Sequence, residues 1–200
     1  MKEDKKFGES FINRLEEIAG VTTGEGEKAK GEDRAALAAL RRGLGREAGA
    51  AWDSYPIVMR YVRRDAGRTE ENAFFTVAAL FGLYPSASWR RSGENDKRPT
   101  NLGASLAILK SKNPDSDSIE RRFVALLNAD AEDLPTHLRH AVSLIKASDV
   151  PIPIDWIKLL GHLRSWNSPE RWVQRDWSRA FWSADANAGD ENLTEGKSEN

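Results

Sequence analysis

One segment of the chain contains histidine and carboxylate side chains that could bind a metal ion. Asp133, His137 and His140 fall within about 60° of one another on a helix face. Two imidazoles and a carboxylate are suitable ligands for a divalent metal. A metal site would need a further ligand from another helix, however, and the segment HLRH lacks the glutamate of the HExxH pattern. The pattern therefore indicates a solvent-facing polar stripe, with a metal enzyme as the alternative.

Residues for other kinds of catalysis are either missing or unsuitably placed. The chain contains no cysteine, which excludes disulfides, thiolate catalysis and cysteine-based zinc sites. It has no GxSxG, no Walker-type phosphate loop and no GxGxxG that opens a helix after a strand. Glu70 and Glu71 are adjacent, so their carboxylates point apart on a helix. We expect no enzymatic activity, no cofactor and no bound metal.

Basic side chains lie on predicted helix faces where they could bind phosphate. Residues 32–184 carry 23 basic and 19 acidic residues, and this net charge of +4 is masked by a net charge of −4 in residues 185–200. Guanidinium groups beside an apolar seam can contact phosphate oxygens through two hydrogen bonds. Solubility and local pairing, for example with Glu120, explain any single residue equally well. Together, the basic residues on these faces favour a polyanionic partner. They are Arg34, Arg41, Arg42, Arg46, Arg121, Arg122, Arg139 and Lys146.

Tryptophan is frequent, with seven residues in the chain and three in the last predicted helix. One stripe of that helix is apolar and is predicted to face the core, whereas the opposite stripe combines Trp with Arg. Exposed Trp beside Arg suits base stacking or the anchoring of a protein interface, and packing or a protein interface is the favoured interpretation. The core stripe is Val173, Trp177, Ala180, Phe181 and Ala184; the other is Trp172, Arg175, Arg179 and Trp182.

The elements that must position these side chains are helices. Apolar residues recur at helical spacing through most of the chain, and no sustained alternation indicates strands. We predict an all-α fold of about nine helices without a sheet, arranged as two packed helical bundles. The predicted units are an N-terminal helix and flexible linker (1–31), an N-terminal bundle (32–115) with a long polar loop (86–100), a C-terminal bundle (116–184) and a disordered acidic tail (185–200).

The cellular location is predicted from the apolar segments. The first residues, MKEDKKFGES, contain no apolar stretch of the kind found in signal peptides. No run approaches the roughly 18 apolar residues that a spanning helix needs. We expect a cytoplasmic protein without a membrane partner.

The apolar segments resemble, in their order, those of a known family. They are ALAALRRGLG, AFFTVAALFGLYP, NLGASLAILK, SIERRFVALLNADAEDLPTHLRHAVSLIK and PIDWIKLLGHLRSW, followed by the Trp- and Arg-rich end. Over about residues 33–182 the chain resembles CasB, the small subunit of the type I-E CRISPR Cascade surveillance complex. No single segment is diagnostic, and the ordered set carries the resemblance.

The resemblance implies a non-catalytic, all-helical subunit that acts in antiviral defence. It implies two copies side by side in the complex, beside the large subunit and the backbone subunits that coat the guide RNA. Small subunits of this family help to hold the crRNA and the opened target DNA, including the displaced strand of the R-loop. The matching basic positions are Arg41, Arg42, Arg121, Arg122 and Arg139, while charge placement alone adds Lys146, Arg90, Arg91, Lys97 and Arg98.

A second hypothesis remains open beside this one. The chain could be a helical protein–protein scaffold without direct nucleic-acid contact, whose arginines pair with acidic partner surfaces. That hypothesis predicts negligible affinity for single-stranded nucleic acid in the absence of partners, even at low salt.

Overall fold

The structure is a computed structural model that describes residues 2–21, 31–45, 49–89, 100–113 and 116–195, and describes side chains between residues 7 and 183 of these ranges. Within these ranges the chain forms nine α-helices and one short 3₁₀ helix, with no strand. The prediction of an all-α fold is confirmed. None of the described helices is long and apolar enough to cross a membrane.

The helices follow one another with short connections in most of the described chain. The 3₁₀ helix, Trp52–Ser54, leads directly into the third α-helix. The α-helices are α1 (Lys2–Ala19), α2 (Arg34–Arg41), α3 (Tyr55–Val58), α4 (Arg68–Leu83), α5 (Leu102–Lys112), α6 (Asp117–Asn128), α7 (Leu134–Lys146), α8 (Trp156–Arg164) and α9 (Trp172–Glu195).

Polar side chains fix the starts of three helices. Asp33, Asn101 and Asp155 each accept a hydrogen bond from a backbone amide three residues later, at 3.0, 3.0 and 2.8 Å. Such a cap satisfies one of the free amides of the first helical turn and stabilises the helix by about 1 kcal/mol. These caps define where α2, α5 and α8 begin.

Helix α4 lies at the centre of the fold. Its sequence is apolar on nearly every side, and it packs against α2, α7 and α8. Helix α5 packs along α9. The buried apolar residues form one continuous cluster that includes both halves of the chain. Two packed bundles are compatible with this arrangement, and a domain boundary near residue 115 stays a prediction.

Helix α1 contributes directly to this core. Phe11, Ile12 and Leu15 are fully buried, and the helix packs against α8 and α2. The sequence placed residues 1–31 outside the bundles because the Gly-rich stretch after α1 is typical of a linker. Most of that stretch, residues 22–30, lies outside the described residues.

The first residues of the predicted polar loop are held by α1 and by the residues around the start of α8. The Ser88 backbone amide donates to Glu16 Oε1 of α1 at 2.6 Å, and the Trp89 amide donates to the Ile154 carbonyl at 2.8 Å. Ser88 Oγ accepts from the Trp156 amide at 3.0 Å. Residues 86–89 therefore join α1 to the start of α8, while residues 90–99 lie outside the described residues.

Helix α9 extends further than the sequence indicated. A helix end near Ala184 and a disordered tail from Asp185 were predicted, but α9 continues to Glu195. No proline interrupts the chain after Pro169, so the backbone can remain helical although the tail has few apolar residues.

Candidate nucleic-acid interface

The basic residues of α6 and α7 are exposed on the surface, as the helical spacing predicts. In α6 the apolar side chains Ile119, Phe123 and Leu126 are buried, and this orientation leaves Arg121 and Arg122 exposed. The neighbouring helix α7 buries its own apolar face in the same way. Its exposed cations are Arg139 and Lys146.

These four cations have no acidic partner in the described part of the chain. Ion pairs there involve other basic residues. The sequence left open a local pair with Glu120, but that carboxylate accepts from Lys110 Nζ at 3.0 Å and from Trp182 Nε1 at 3.1 Å. The hydrogen bond from Lys110 has the larger effect on the pKa of the Glu120 carboxyl, and the one from Trp182 has the smaller effect. Both lower this pKa. The charges of Arg121 and Arg122 remain available to an external anion.

Arg139 of α7 lies against the segment that follows α2. A Cβ at Gly45 would lie 2.8 Å from Arg139 Nη1, so the guanidinium rests against the backbone of Gly45. Gly45 follows Arg41 by four residues and has a φ of +72°, a conformation in which other residues are strained. Arg139 of α7 therefore contacts the segment that follows Arg41 and Arg42 along the chain. Lys146 lies seven residues after Arg139, about 10 Å further along α7.

The two arginines at the end of α2 differ in their surroundings. Both are exposed. Arg42 forms an ion pair with Asp53 of the 3₁₀ helix, whereas Arg41 has no acidic partner among the described residues. The predicted loop residues Arg90, Arg91, Lys97 and Arg98 lie outside the described residues. The described candidate interface therefore consists of Arg41, Arg42, Arg121, Arg122, Arg139 and Lys146.

The two stripes predicted for α9 are oriented as expected. Val173, Trp177, Ala180 and Phe181 are buried, while Ala184 lies beyond the described side chains. Trp172 and Trp182 remain 42% and 37% exposed. The Trp182 ring packs edge-on against Phe123 at 5.5 Å between centroids, and Trp172 packs edge-on against His162 at 5.3 Å. These contacts agree with the interpretation that both rings serve packing.

Trp52 is an exposed aromatic residue that the sequence interpretation missed. Its side chain is 75% exposed, and one face stacks on Tyr55 with 4.9 Å between ring centroids. It precedes Asp53, the ion-pair partner of Arg42, and so lies beside the basic end of α2. A Trp outside every amphipathic stripe is the signal that could have identified it. A fixed ring with one open face is suited to base stacking or to an interface contact.

The three histidines do not assemble a metal site. His137 and His140 lie on α7, whereas His162 is buried in α8. Among the described residues, no group of three or more His, Cys, Asp or Glu side chains could hold a metal ion. Among the described contacts the Asp133 carboxylate has no partner, and the Asp133 backbone amide donates to Asp130 Oδ1 at 3.0 Å.

His162 is a structural residue of the core. Its Nδ1 accepts a hydrogen bond from Trp177 Nε1 at 2.7 Å, and its side chain is 6% exposed. Burial lowers the pKa of His162 to about 4; the charge of Lys158 acts in the same direction, and Asp176, whose Oδ2 is 3.9 Å from Nε2, opposes it. The imidazole is therefore neutral at physiological pH and accepts through Nδ1.

Acidification is expected to destabilise the fold through His162. The unfolded chain takes up the proton near pH 6.5, whereas the folded chain takes it up near pH 4. The contribution of the neutral His162 imidazole to the free energy of unfolding is therefore complete above pH 6.5. It falls as the pH drops towards 4, by about 2 kcal/mol between pH 7.5 and 5. Urea unfolding of wild type and His162→Gln across this range measures the effect. If both proteins lose the same free energy of unfolding between these pH values, His162 is not the titrating group.

The sequence is similar to one protein family over most of its length. Residues 36–182 match the family model for CRISPR-associated protein Cse2. The CRISPR-associated protein Cse2 of Thermus thermophilus is 35% identical over 181 residues, which cover 90% of this chain and 92% of that protein.

The fold is also similar to solved structures. A Cse2-family protein of Thermus thermophilus has a TM-score of 0.67 at 33% identity, covering 88% of this chain and 97% of that chain. CasB of M. ruber has a TM-score of 0.70 at 29% identity, covering 92% of this chain and 96% of that chain. A chain of a CRISPR RNA-guided surveillance complex has a TM-score of 0.69 at 24% identity, covering 94% of this chain and 99% of that chain. This similarity indicates a common fold.

Proposed function

The chain belongs to the CRISPR-associated Cse2 family, and from this premise we propose that it is the non-catalytic small subunit of a type I-E CRISPR Cascade surveillance complex. In this role it binds and stabilises the guide RNA and the target and displaced DNA strands of the R-loop in the cytoplasm, during antiviral defence. Its protein partners are the guide-coating backbone subunits, the large subunit and a second copy of itself. Similarity to a chain of an RNA-guided surveillance complex supports this assignment.

The observation that carries the nucleic-acid role is the set of exposed cations without acidic partners in the described chain. Arg41, Arg121, Arg122, Arg139 and Lys146 have this property. An exposed cation that pairs with an acid on its own surface has less charge to offer a partner, whereas these five can each approach a phosphate.

Contact with the phosphate backbone is sufficient for such a subunit. In RNA-guided recognition, base pairing between guide and target supplies the sequence specificity. An accessory subunit therefore needs only to neutralise backbone charge and to follow the shape of the strands. Basic side chains on the faces of α2, α6 and α7 fit this requirement, since a displaced single strand follows a basic surface.

Binding of single-stranded DNA by the purified chain tests the role. We expect the logarithm of the binding constant to fall linearly with that of salt concentration, with a slope of about −3.5 for five phosphate contacts. Fluorescence anisotropy with a labelled oligonucleotide between about 50 and 200 mM NaCl measures this slope. No binding at the lowest salt would instead support the protein–protein scaffold, in which the arginines pair with acidic partner surfaces.

A further inference from the structure

A cavity with one polar side lies between α5, α6 and α7. Its volume is about 130 Å³, and most of its wall is apolar, including Leu106, Phe123 and Leu126. The polar lining residues are Arg122 from α6 with His137 and His140 from α7. Arg122 and His140 are exposed and His137 is half-buried, whereas the apolar residues named above are buried. The three nitrogen-bearing side chains thus form the polar part of the lining, and two of them are exposed.

The charged and titratable residues at this cavity are all basic. Helix α6 supplies Arg122, helix α7 supplies His137 and His140, and helix α5 supplies only an apolar residue. Asp133 lies one helical turn before His137 but does not line the cavity. Within the described chain, Arg122 has no ion-pair partner. Arg122, His137 and His140 therefore line one cavity, and no carboxylate is part of its described lining.

We propose that this cavity binds a phosphate group at its open side, and that His137 and His140 make this binding stronger as the pH falls. Arg122 can donate two parallel hydrogen bonds to phosphate oxygens, and each imidazolium adds a charged N–H donor. The apolar wall behind them strengthens these interactions because it lowers the local dielectric constant. The proposal rests on the nucleic-acid role above, since a backbone phosphate on the α6–α7 surface is one source of the ligand; free phosphate is the other.

Imidazole NMR of the full chain tests the site directly, with inorganic phosphate and a short oligothymidylate as the two probes. Binding of an anion beside an imidazole favours its protonated form, and we expect both probes to shift the imidazole signals of His137 and His140. His162 provides an internal reference, because its pKa of about 4 keeps it neutral above pH 5.5 or so. Its signals should not move with either probe.

The two probes distinguish the possible sources of phosphate. A shift with oligothymidylate assigns the site to nucleic acid, and a shift with inorganic phosphate alone assigns it to the free anion. Unchanged signals of both histidines with both probes would overturn the phosphate site, even where the oligonucleotide binds elsewhere with a steep salt dependence. Conversely, a shift with phosphate in a chain that binds no oligonucleotide would retain the site and refute the nucleic-acid role.

Variants test the contribution of each group. We expect wild-type affinity for oligothymidylate to be on the order of tenfold higher at pH 6 than at pH 8. His137→Gln/His140→Gln should lose most of this ratio, and Arg122→Gln should abolish the phosphate-dependent changes in the imidazole signals. Lys146→Gln is the matched control: it removes a cation from the same helix, so it should weaken binding at both pH values by a similar factor. An unaltered pH ratio in the double-histidine variant would refute the proposed role of the imidazoles.

Discussion

Gly103→Ala is expected to lower the free energy of unfolding by about 3 kcal/mol, the upper part of the range for overpacked cores. Gly103 lies in the first turn of α5, where this helix crosses α9. A Cβ at this position would lie 2.2 Å from the Trp177 carbonyl oxygen and 2.8 Å from its Cα and carbonyl carbon. These are backbone atoms of a helix, so no side-chain rotation can relieve the overlap. The two helices would have to separate, which would open the core around the fully buried Trp177.

Gly161→Ala is the matched control for this substitution. Gly161 also lies within a helix, α8, but a Cβ there would meet no atom within 4 Å. Because Ala is a better helix former than Gly, this variant should gain about 0.5–1 kcal/mol. Urea unfolding of wild type and both variants, with linear extrapolation, measures the difference. Equal stability of the two variants would show that α5 and α9 do not approach each other this closely.

Reversing the charge of two arginines that have no acidic partner among the described residues should weaken retention of target DNA by the assembled complex. Each phosphate contact to a single strand multiplies the binding constant by the salt concentration to the power of about −0.7. Loss of two contacts at 0.1 M salt therefore reduces affinity roughly 25-fold. Repulsion by the new carboxylates brings the expected loss to the order of 100-fold. The variant is Arg121→Glu/Arg139→Glu, and the DNA dissociation constant of the reconstituted complex is the measurement.

The control variant, Arg14→Glu/Arg63→Glu, changes the net charge by the same amount. Arg14 pairs with Glu17 at 2.9 Å, and Arg63 approaches Asp65 at 3.2 Å. Both are already compensated on the surface, so their reversal should alter DNA retention by only a few-fold. Thermal unfolding of the isolated chains would verify that each variant remains folded. Retention equal to wild type in the Arg121/Arg139 variant, near physiological salt, would refute the assignment of these residues.

Local sequence pattern was sufficient to predict that these segments are helical and which faces they bury, although not where α9 ends. In α9, the spacing of Val173, Trp177 and Phe181 predicted the buried stripe, and all three are buried. In α6 the same reasoning placed Arg121 outward. A helix has a fixed number of residues per turn, so the spacing of apolar residues determines which face turns inward without knowledge of the neighbouring helices.

The functional interpretation of single residues depended on their partners, which the local pattern does not contain. Glu120 could have paired with a neighbouring arginine, but it pairs with Lys110 of another helix. His162 had no recognisable role until its contact with Trp177 was known. Helix α1 was predicted to lie outside the bundles because a Gly-rich stretch follows it. In the structure its residues Phe11 and Leu15 are fully buried.

By itself, the sequence determined that the chain is all-helical and which basic side chains lie on its outer faces, because both properties repeat with the helical period. The tertiary structure alone decided that Arg139 lies against Gly45, that Gly103 lies against the backbone of Trp177 and that Arg122 lines the same cavity as two histidines. Each of these contacts joins residues that are distant along the chain or on different helices. Their formation depends on how the helices cross, and this is set by side-chain packing throughout the core.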